Sequence, residues 1–195
     1  MRNGNSAIAA DRGLPQISKK FLANHAMPSL IKQAEFMASD IAGELHIYTD
    51  GSFTPATRSG GWAYVVMRAE QQLHAHHGVA SGETNNTFEV LAVLQALSFV
   101  DAQVRGADVT VWTDSHHVVE GCRHWRAIWR HNGWKRVNPN PRARRRAIPD
   151  MLLWQKLDDL LERNSDVSVR WCKGHSGIAA NEYADLLARE AETAE

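Results

Sequence analysis

The chain of 195 residues is long enough for one compact domain of ordinary size with an extra segment at one end. With 44% hydrophobic and 23% charged residues it has the composition of a globular protein. It has no apolar run near the roughly 18 residues that span a bilayer, so we expect no membrane association. The net charge is zero, and the two cysteines match neither a CxxC pair nor a metal-finger spacing, so we expect a reducing, cytoplasmic environment.

Residues 1–43 differ from the rest of the chain. Pro15 and Pro28 interrupt them, and only Leu30–Met37 has the pattern of a short amphipathic helix. We therefore predict a partly ordered N-terminal extension of unknown role, followed by a catalytic domain over residues 44–195.

The first half of this domain predicts three strands and a buried helix. Leu45–Thr49 alternates as a strand and stops at Asp50-Gly51-Ser52, while Gly61–Arg68 and Gln72–Ala80 read as a hairpin. Phe88–Val100 is almost continuously apolar over thirteen residues, which favours a buried helix over a strand.

The second half predicts two more strands and three helices. Val109–Thr113 is a strand that again stops at an aspartate, Asp114. The remaining elements are helices over Ser115–Trp129, Met151–Arg163 and Asn181–Ala191, and a strand over Val167–Trp171. This order indicates an α/β fold with a five-stranded mixed sheet flanked by helices.

Four acidic residues stand out by their positions. Asp50 and Asp114 end two similar strands, which a right-handed crossover would make parallel neighbours, so the two carboxylates are expected side by side. Glu89 is the only acid in its apolar helix, and Asp185 lies on the last helix, on the same face as Asn181. Each alone has an ordinary explanation as a turn, helix-dipole or surface residue. Together, hard oxygen ligands without a Cys or His set indicate Mg²⁺ or Mn²⁺.

Although the net charge is zero, positive charge is concentrated in a basic segment of about residues 121–149. It has nine Lys and Arg side chains and no acid, and such a run repels itself unless an anion is nearby. Trp125 and Trp129 share a helical face within it, a spacing more typical of core packing. The basic residues are Arg123, Arg126, Arg130, Lys135, Arg136, Arg142, Arg144, Arg145 and Arg146.

The motifs together resemble the type 1 ribonuclease H family over roughly residues 44–192. They are, in chain order, Thr49-Asp50-Gly51-Ser52, Thr84-Asn85-Asn86-Thr87-Phe88-Glu89, Thr113-Asp114-Ser115, Lys173-Gly174-His175-Ser176-Gly177 and Asn181-Glu182-Tyr183-Ala184-Asp185. The resemblance implies the ribonuclease H fold and endonucleolytic cleavage of the RNA strand of RNA–DNA hybrids, leaving 5′-phosphate and 3′-hydroxyl ends.

By position, the resemblance implies that Asp50, Glu89, Asp114 and Asp185 are catalytic and bind two Mg²⁺ ions, with Mn²⁺ as an alternative. It implies that His175 is the catalytic histidine of a loop to which Gly174 and Gly177 give freedom. The basic segment corresponds to the family's basic protrusion. The expected nucleic-acid contacts are Asn85, Asn86, His116, Trp125, Arg126, Arg130, Trp134, Lys135, Arg136 and Asn181.

The sequence departs from the family at two places that bear on ribose recognition. Residues 53–59 lack the usual Gly/Asn/Pro-rich turn, and His116 stands where glutamine is frequent. Two other functions remain open: a resolvase or integrase-type nuclease on the same fold, and a non-catalytic hybrid-binding module. We expect the protein to be a monomer.

Overall fold

A computed structural model describes residues 44–104, 107–136 and 147–193. The predicted N-terminal extension, with its Leu30–Met37 helix, and residues 137–146 of the basic segment lie outside these ranges. Within the described ranges, no helix combines the length and apolar character that crossing a membrane requires.

Five strands form one mixed sheet in the order β3-β2-β1-β4-β5. The antiparallel part contains β1 (Leu45–Gly51), β2 (Ser59–Arg68) and β3 (Gln71–Ser81), and the parallel part adds β4 (Val109–Thr113) and β5 (Val167–Trp171). The predicted five-stranded mixed sheet and its parallel β1–β4 pair are confirmed.

The helices follow the predicted order with one interruption. They are α1 (Asn85–Gln103), α2 (His116–Glu120), a π-helical segment (Gly121–Trp125), α3 (Arg126–His131), α4 (Met151–Arg163) and α5 (Ala179–Thr193). The helix predicted over Ser115–Trp129 is present in a continuous helical stretch from His116 to His131, but its middle turn is π-helical, which the sequence pattern does not predict. Gly121 begins that turn against the Trp154 ring, where any Cβ would overlap the indole.

The two faces of the sheet are covered differently. One face packs on α1 and α4 around a large apolar core that includes Trp62, Phe88 and Trp154. The other face packs on α5 through a smaller cluster of Ala63, Val65, Ala184, Leu187 and Ala188. Because helices cover both faces of β2, the central residues of this strand are continuously apolar and buried.

Candidate active site

Neighbouring strand ends bring the two aspartates together. Thr49 of β1 pairs with Thr113 of β4, so Asp50 and Asp114 follow at the same edge of the sheet. Thr49 Oγ1 also donates to the Trp112 carbonyl at 3.0 Å, which ties the two strand ends. The edge is where the carboxyl ends of parallel strands place their sites.

The third carboxylate comes from the first turns of α1. A Cβ on Gly51 would collide with the backbone of Phe88 and Glu89, so this glycine lets the helix lie directly against the end of β1. Asp50, Glu89 and Asp114 each offer a carboxylate oxygen, and these oxygens all lie within 4.8 Å of one another. The structure therefore brings three of the four predicted acids into one group.

Burial makes ionisation of these carboxyl groups unfavourable. Asp50 and Glu89 are both only 6% exposed. Asp50 Oδ1 accepts a 2.7 Å bond from the Gly51 amide, and Glu89 Oε1 accepts one of 3.2 Å from Asn85 Nδ2. Glu89 Oε2 is buried without a hydrogen-bond partner among the described residues. A buried carboxylate oxygen of this kind calls for a proton or a cation.

The pKa values respond accordingly. Burial, reinforced by the charge of Asp114, raises the pKa of Asp50 from 3.8 to about 8 against the opposing Gly51 hydrogen bond, and Asp185 adds to the rise. Burial followed by the charges of Asp50 and Asp114 raises the pKa of Glu89 well above its usual value. Without a cation, the cluster therefore retains protons at neutral pH.

Asp185 lies beside this group but outside the set of three. It is on α5, it lies close enough to Asp50 to help raise the pKa of that carboxyl, and its Oδ1 accepts from Arg189 Nε at 2.9 Å. Of the four predicted acids it is thus the one for which the fold already supplies a positive partner.

The histidine loop follows β5 and reaches the same edge. His175 is exposed, with a φ of 49°, in the left-handed region that strains a residue with a side chain. A Cβ on Gly174 would overlap the Asp114 carboxylate, so the loop contacts the carboxylate cluster at this residue. Gly174 therefore allows a close approach, in addition to any freedom that it gives the loop.

The donor set fits a hard divalent cation. All three clustered ligands are carboxylates, and the described residues provide no cysteine or histidine within the group. Oxygen donors of this kind suit Mg²⁺ or Mn²⁺ better than Zn²⁺. The arrangement can hold a divalent cation at the carboxyl ends of β1 and β4.

Comparison with known proteins identifies the family. The family model for RNase H matches residues 42–193. Ribonuclease H of Roseobacter denitrificans is 38% identical over 150 residues, covering 75% of this chain and 93% of that protein. Ribonuclease H of Bordetella pertussis is 36% identical over 147 residues, covering 75% and 88%. The chain belongs to the RNase H family.

The solved structures agree with this assignment. The crystal structure of LC9-RNase H1, a type 1 RNase H with the type 2 active-site motif, matches with a TM-score of 0.64 and 28% identity. The match covers 80% of this chain and 75% of that one. The RNase H fold and enzyme class predicted from the motifs are therefore confirmed.

Three of the residues predicted to contact nucleic acid belong to segments that adjoin the carboxylate cluster. Asn85 and Asn86 are exposed in the first turn of α1, next to Glu89. His116 is exposed at the start of α2, and its ring stacks on Trp171 with centroids 4.7 Å apart. Sequence reasoning missed Trp171. Its indole Nε1 donates to the Asp114 carbonyl at 3.1 Å, and its pairing with Thr113 in the strand register is the feature that points to it.

Asn181 does not agree with the contact predicted for it. It is only 2% exposed, and its Oδ1 accepts a hydrogen bond from Cys172 Sγ at 3.3 Å. The prediction failed because a shared helical face with Asp185 indicates the direction of the Asn181 side chain but not how deeply that side chain is buried. Asn181 instead joins the start of α5 to the segment after β5.

Arg126 and Arg130 also have partners that the sequence did not reveal. Asp158 and Glu162 on α4 supply the anions, with Arg126 Nη1 2.6 Å from Asp158 Oδ1 and Arg130 Nη1 3.2 Å from Asp158 Oδ2. For these two residues the fold itself therefore supplies the anion that the basic run requires, and their contact with nucleic acid stays a prediction. Lys135 and Arg136 are exposed and form no ion pair within the described ranges.

The tryptophans of the basic segment form a ring cluster. Trp129 lies 5.8 Å from Trp125, 6.5 Å from Trp134 and 5.4 Å from Trp154 between ring centroids. Trp129 and Trp134 pack against the main core, which bears out the core-packing interpretation for Trp129. Trp125 and Trp134 are half-buried, so each retains some surface for the predicted nucleic-acid contact.

Proposed function

We propose that the chain cleaves the RNA strand of RNA–DNA hybrids at a divalent-metal centre held by Asp50, Glu89, Asp114 and Asp185. One observation carries the proposal: three carboxylates, two of them almost fully buried, lie within 4.8 Å at the sheet edge. Such a cluster is costly unless a cation binds it. The hybrid substrate is supported by the two ribonuclease H relatives at 36% and 38% identity.

The proposed cofactor is two Mg²⁺ ions, with Mn²⁺ as an alternative. When bound, paired divalent ions activate an attacking water and stabilise the departing 3′ oxygen, which leaves 5′-phosphate and 3′-hydroxyl ends. Glu89 Oε2, which lacks a protein partner among the described residues, is the ligand atom most in need of a cation. Asp185 would bind from the side of α5, where Arg189 already orients it.

The remaining residues act on the substrate and on protons. His175, exposed on a loop that contacts Asp114 through Gly174, would carry a proton between the scissile phosphate and solvent. Asn85, Asn86 and His116 would face the RNA ribose. Lys135 and Arg136 would bind the phosphates of the DNA strand together with Trp125 and Trp134, in a salt-dependent manner.

The deciding experiment offers the protein a labelled hybrid, duplex DNA and a four-way junction while Mg²⁺ is titrated. Wild type should cleave only the hybrid RNA strand, and Asp114→Asn should bind the hybrid but cleave at least about 10³-fold more slowly. Asp166→Asn is the matched control, because this exposed aspartate precedes β5 and so lies at the opposite end of the strands from the carboxylate cluster.

Two outcomes would overturn the proposal. Cleavage of junctions or duplex DNA without hybrid cleavage would favour a resolvase or integrase-type nuclease. Equal inactivity of wild type and Asp114→Asn, with hybrid binding retained, would favour a non-catalytic binding module.

We also propose the division of the chain at residue 44. A truncated protein that begins at Glu44 should retain hybrid cleavage, since all proposed ligands lie beyond that residue, and comparison of its kcat and KM with those of the full chain tests this. We further propose a monomer, which sedimentation can test. Two free buried thiols, Cys122 and Cys172, are compatible with the cytoplasm.

A further inference from the structure

In the π-helical turn between α2 and α3, the Arg126 side chain bonds to a backbone carbonyl of the turn. In this turn the Arg126 amide bonds to the Gly121 carbonyl, one residue further back than in an α-helix. The Cys122 carbonyl thereby loses its regular amide partner. Arg126 Nε donates to this same carbonyl at 2.8 Å, so the arginine satisfies the group that the π turn released.

The same guanidinium is also tied to α4. Arg126 Nη1 lies 2.6 Å from Asp158 Oδ1 and 2.8 Å from Glu162 Oε1. Arg130, one turn later, adds a 3.0 Å contact to Glu162. Asp158 is only 2% exposed, so this is a buried acceptor held by two arginines.

We propose that Asp158 and Arg126 form a brace that sets the direction of the basic arm, residues 121–136. Lys135 and Arg136 are exposed cations at the far end of the arm and follow α3 after Asn132–Trp134, so the angle at the π turn affects where they lie. Arg126 is thus a positioning residue for the hybrid and not a phosphate ligand. The inference rests on the proposed hybrid-binding function.

For Asp158→Asn, the loss of a negative charge and the loss of the brace should change hybrid affinity in opposite directions. This substitution removes a negative charge beside the arm, so electrostatics alone would tighten binding to a polyanion. Loss of the brace instead releases the arm and weakens binding, because the side chains must then be ordered when the hybrid binds. The sign of the change therefore separates the two roles.

The test measures kcat and KM in Mg²⁺ and hybrid affinity in EDTA over a range of salt concentrations. Asp158→Asn should raise KM about tenfold, equivalent to ~1.4 kcal/mol, with kcat nearly unchanged. Arg126→Met should raise KM similarly, and the double variant should be no worse than either single one. Neither should change the slope of log affinity against log salt, whereas Lys135→Met should reduce it by about 0.9.

Arg163→Met is the matched control, since Arg163 also pairs with a carboxylate, Asp101, at 3.2 Å, but this partner belongs to α1 and not to the arm. It should leave KM unchanged. Because loss of a buried partner can destabilise the fold, each variant is assayed well below its measured unfolding midpoint, and Asp158→Glu should restore part of the affinity.

The outcomes separate this inference from the proposed function. If wild type neither binds nor cleaves hybrid, the proposed function fails. If wild type cleaves hybrid but Asp158→Asn binds as tightly or more tightly, the brace is refuted. A reduced salt slope for Arg126→Met would likewise show that Arg126 contacts phosphate directly.

Discussion

Asp50→Asn should stabilise the protein in the absence of metal while abolishing metal-dependent activity. In the folded state, burial and the charge of Asp114 raise the pKa of Asp50 from 3.8 to about 8. One pKa unit corresponds to ~1.4 kcal/mol, so full ionisation of Asp50 costs the fold up to ~6 kcal/mol. An asparagine removes that cost but still faces Glu89 and Asp114, so we expect a gain of ~2–4 kcal/mol at pH 8.

The sign of the pH dependence follows from the raised pKa. Below pH 3.8 Asp50 is protonated in both the folded and the unfolded chain and contributes nothing. Between 3.8 and about 8 the unfolded chain loses the proton while the folded protein keeps it, so the stability of wild type falls with rising pH. The advantage of Asp50→Asn should therefore grow from pH 4 to pH 8.

Urea denaturation in EDTA at several pH values measures this difference. Mg²⁺ at a thousand times its Kd should reverse the order, since it adds about 4.1 kcal/mol to wild type alone, more than the gain expected from the substitution. Asp166→Asn should be neutral throughout. If Asp50→Asn destabilised the metal-free protein at pH 8, or had the same effect at every pH, the electrostatic argument for the cluster would be refuted.

Three further predictions concern Gly174 beside the carboxylate cluster, Gly121 at the π turn, and the pH dependence of Mg²⁺ binding. Gly174→Ala should lower kcat on the order of 10–100-fold with the fold retained in circular dichroism, because its Cβ would displace the Asp114 carboxylate; unchanged kcat would contradict this. Gly121→Ala should cost ~1–3 kcal/mol in urea denaturation by overlap with Trp154, and a neutral effect would be unexpected. The apparent Mg²⁺ affinity should rise from pH 6 to pH 8 with proton release in calorimetry, since binding deprotonates Asp50; an affinity independent of pH would refute this.

The sequence predicted those parts of the site that depend on local pattern and chain order. Asp50 and Asp114 were placed side by side because two similar strands flank a single crossover helix, and the register of Thr49 with Thr113 confirms it. Glu89 was recognised because an isolated acid in an apolar helix needs compensation. Periodicity and topology are sufficient for such residues.

The residues that the sequence misassigned depend on depth and on partners distant in the chain. Asn181 shares a helical face with Asp185, but burial at the start of α5 hides it. Arg126 lies in a run without acids, yet its partner Asp158 is 32 residues away on α4. A run of like charges shows that counter-charges are needed without showing which part of the fold provides them.

Among the residues that the structure describes, two buried carboxylate groups differ in the positive charge that the fold supplies to them. Asp158 receives two arginines, so its charge is compensated within the protein and its role is to hold the basic arm. Asp50 and Glu89 receive backbone and amide donors and no cation within the described ranges, while glycines at 51 and 174 press neighbouring segments against the cluster. Desolvation without a positive partner costs stability, whereas binding of a divalent ion offsets that cost. The missing counter-charge, more than the number of acids, therefore supports the proposal that Asp50, Glu89 and Asp114 hold a metal ion.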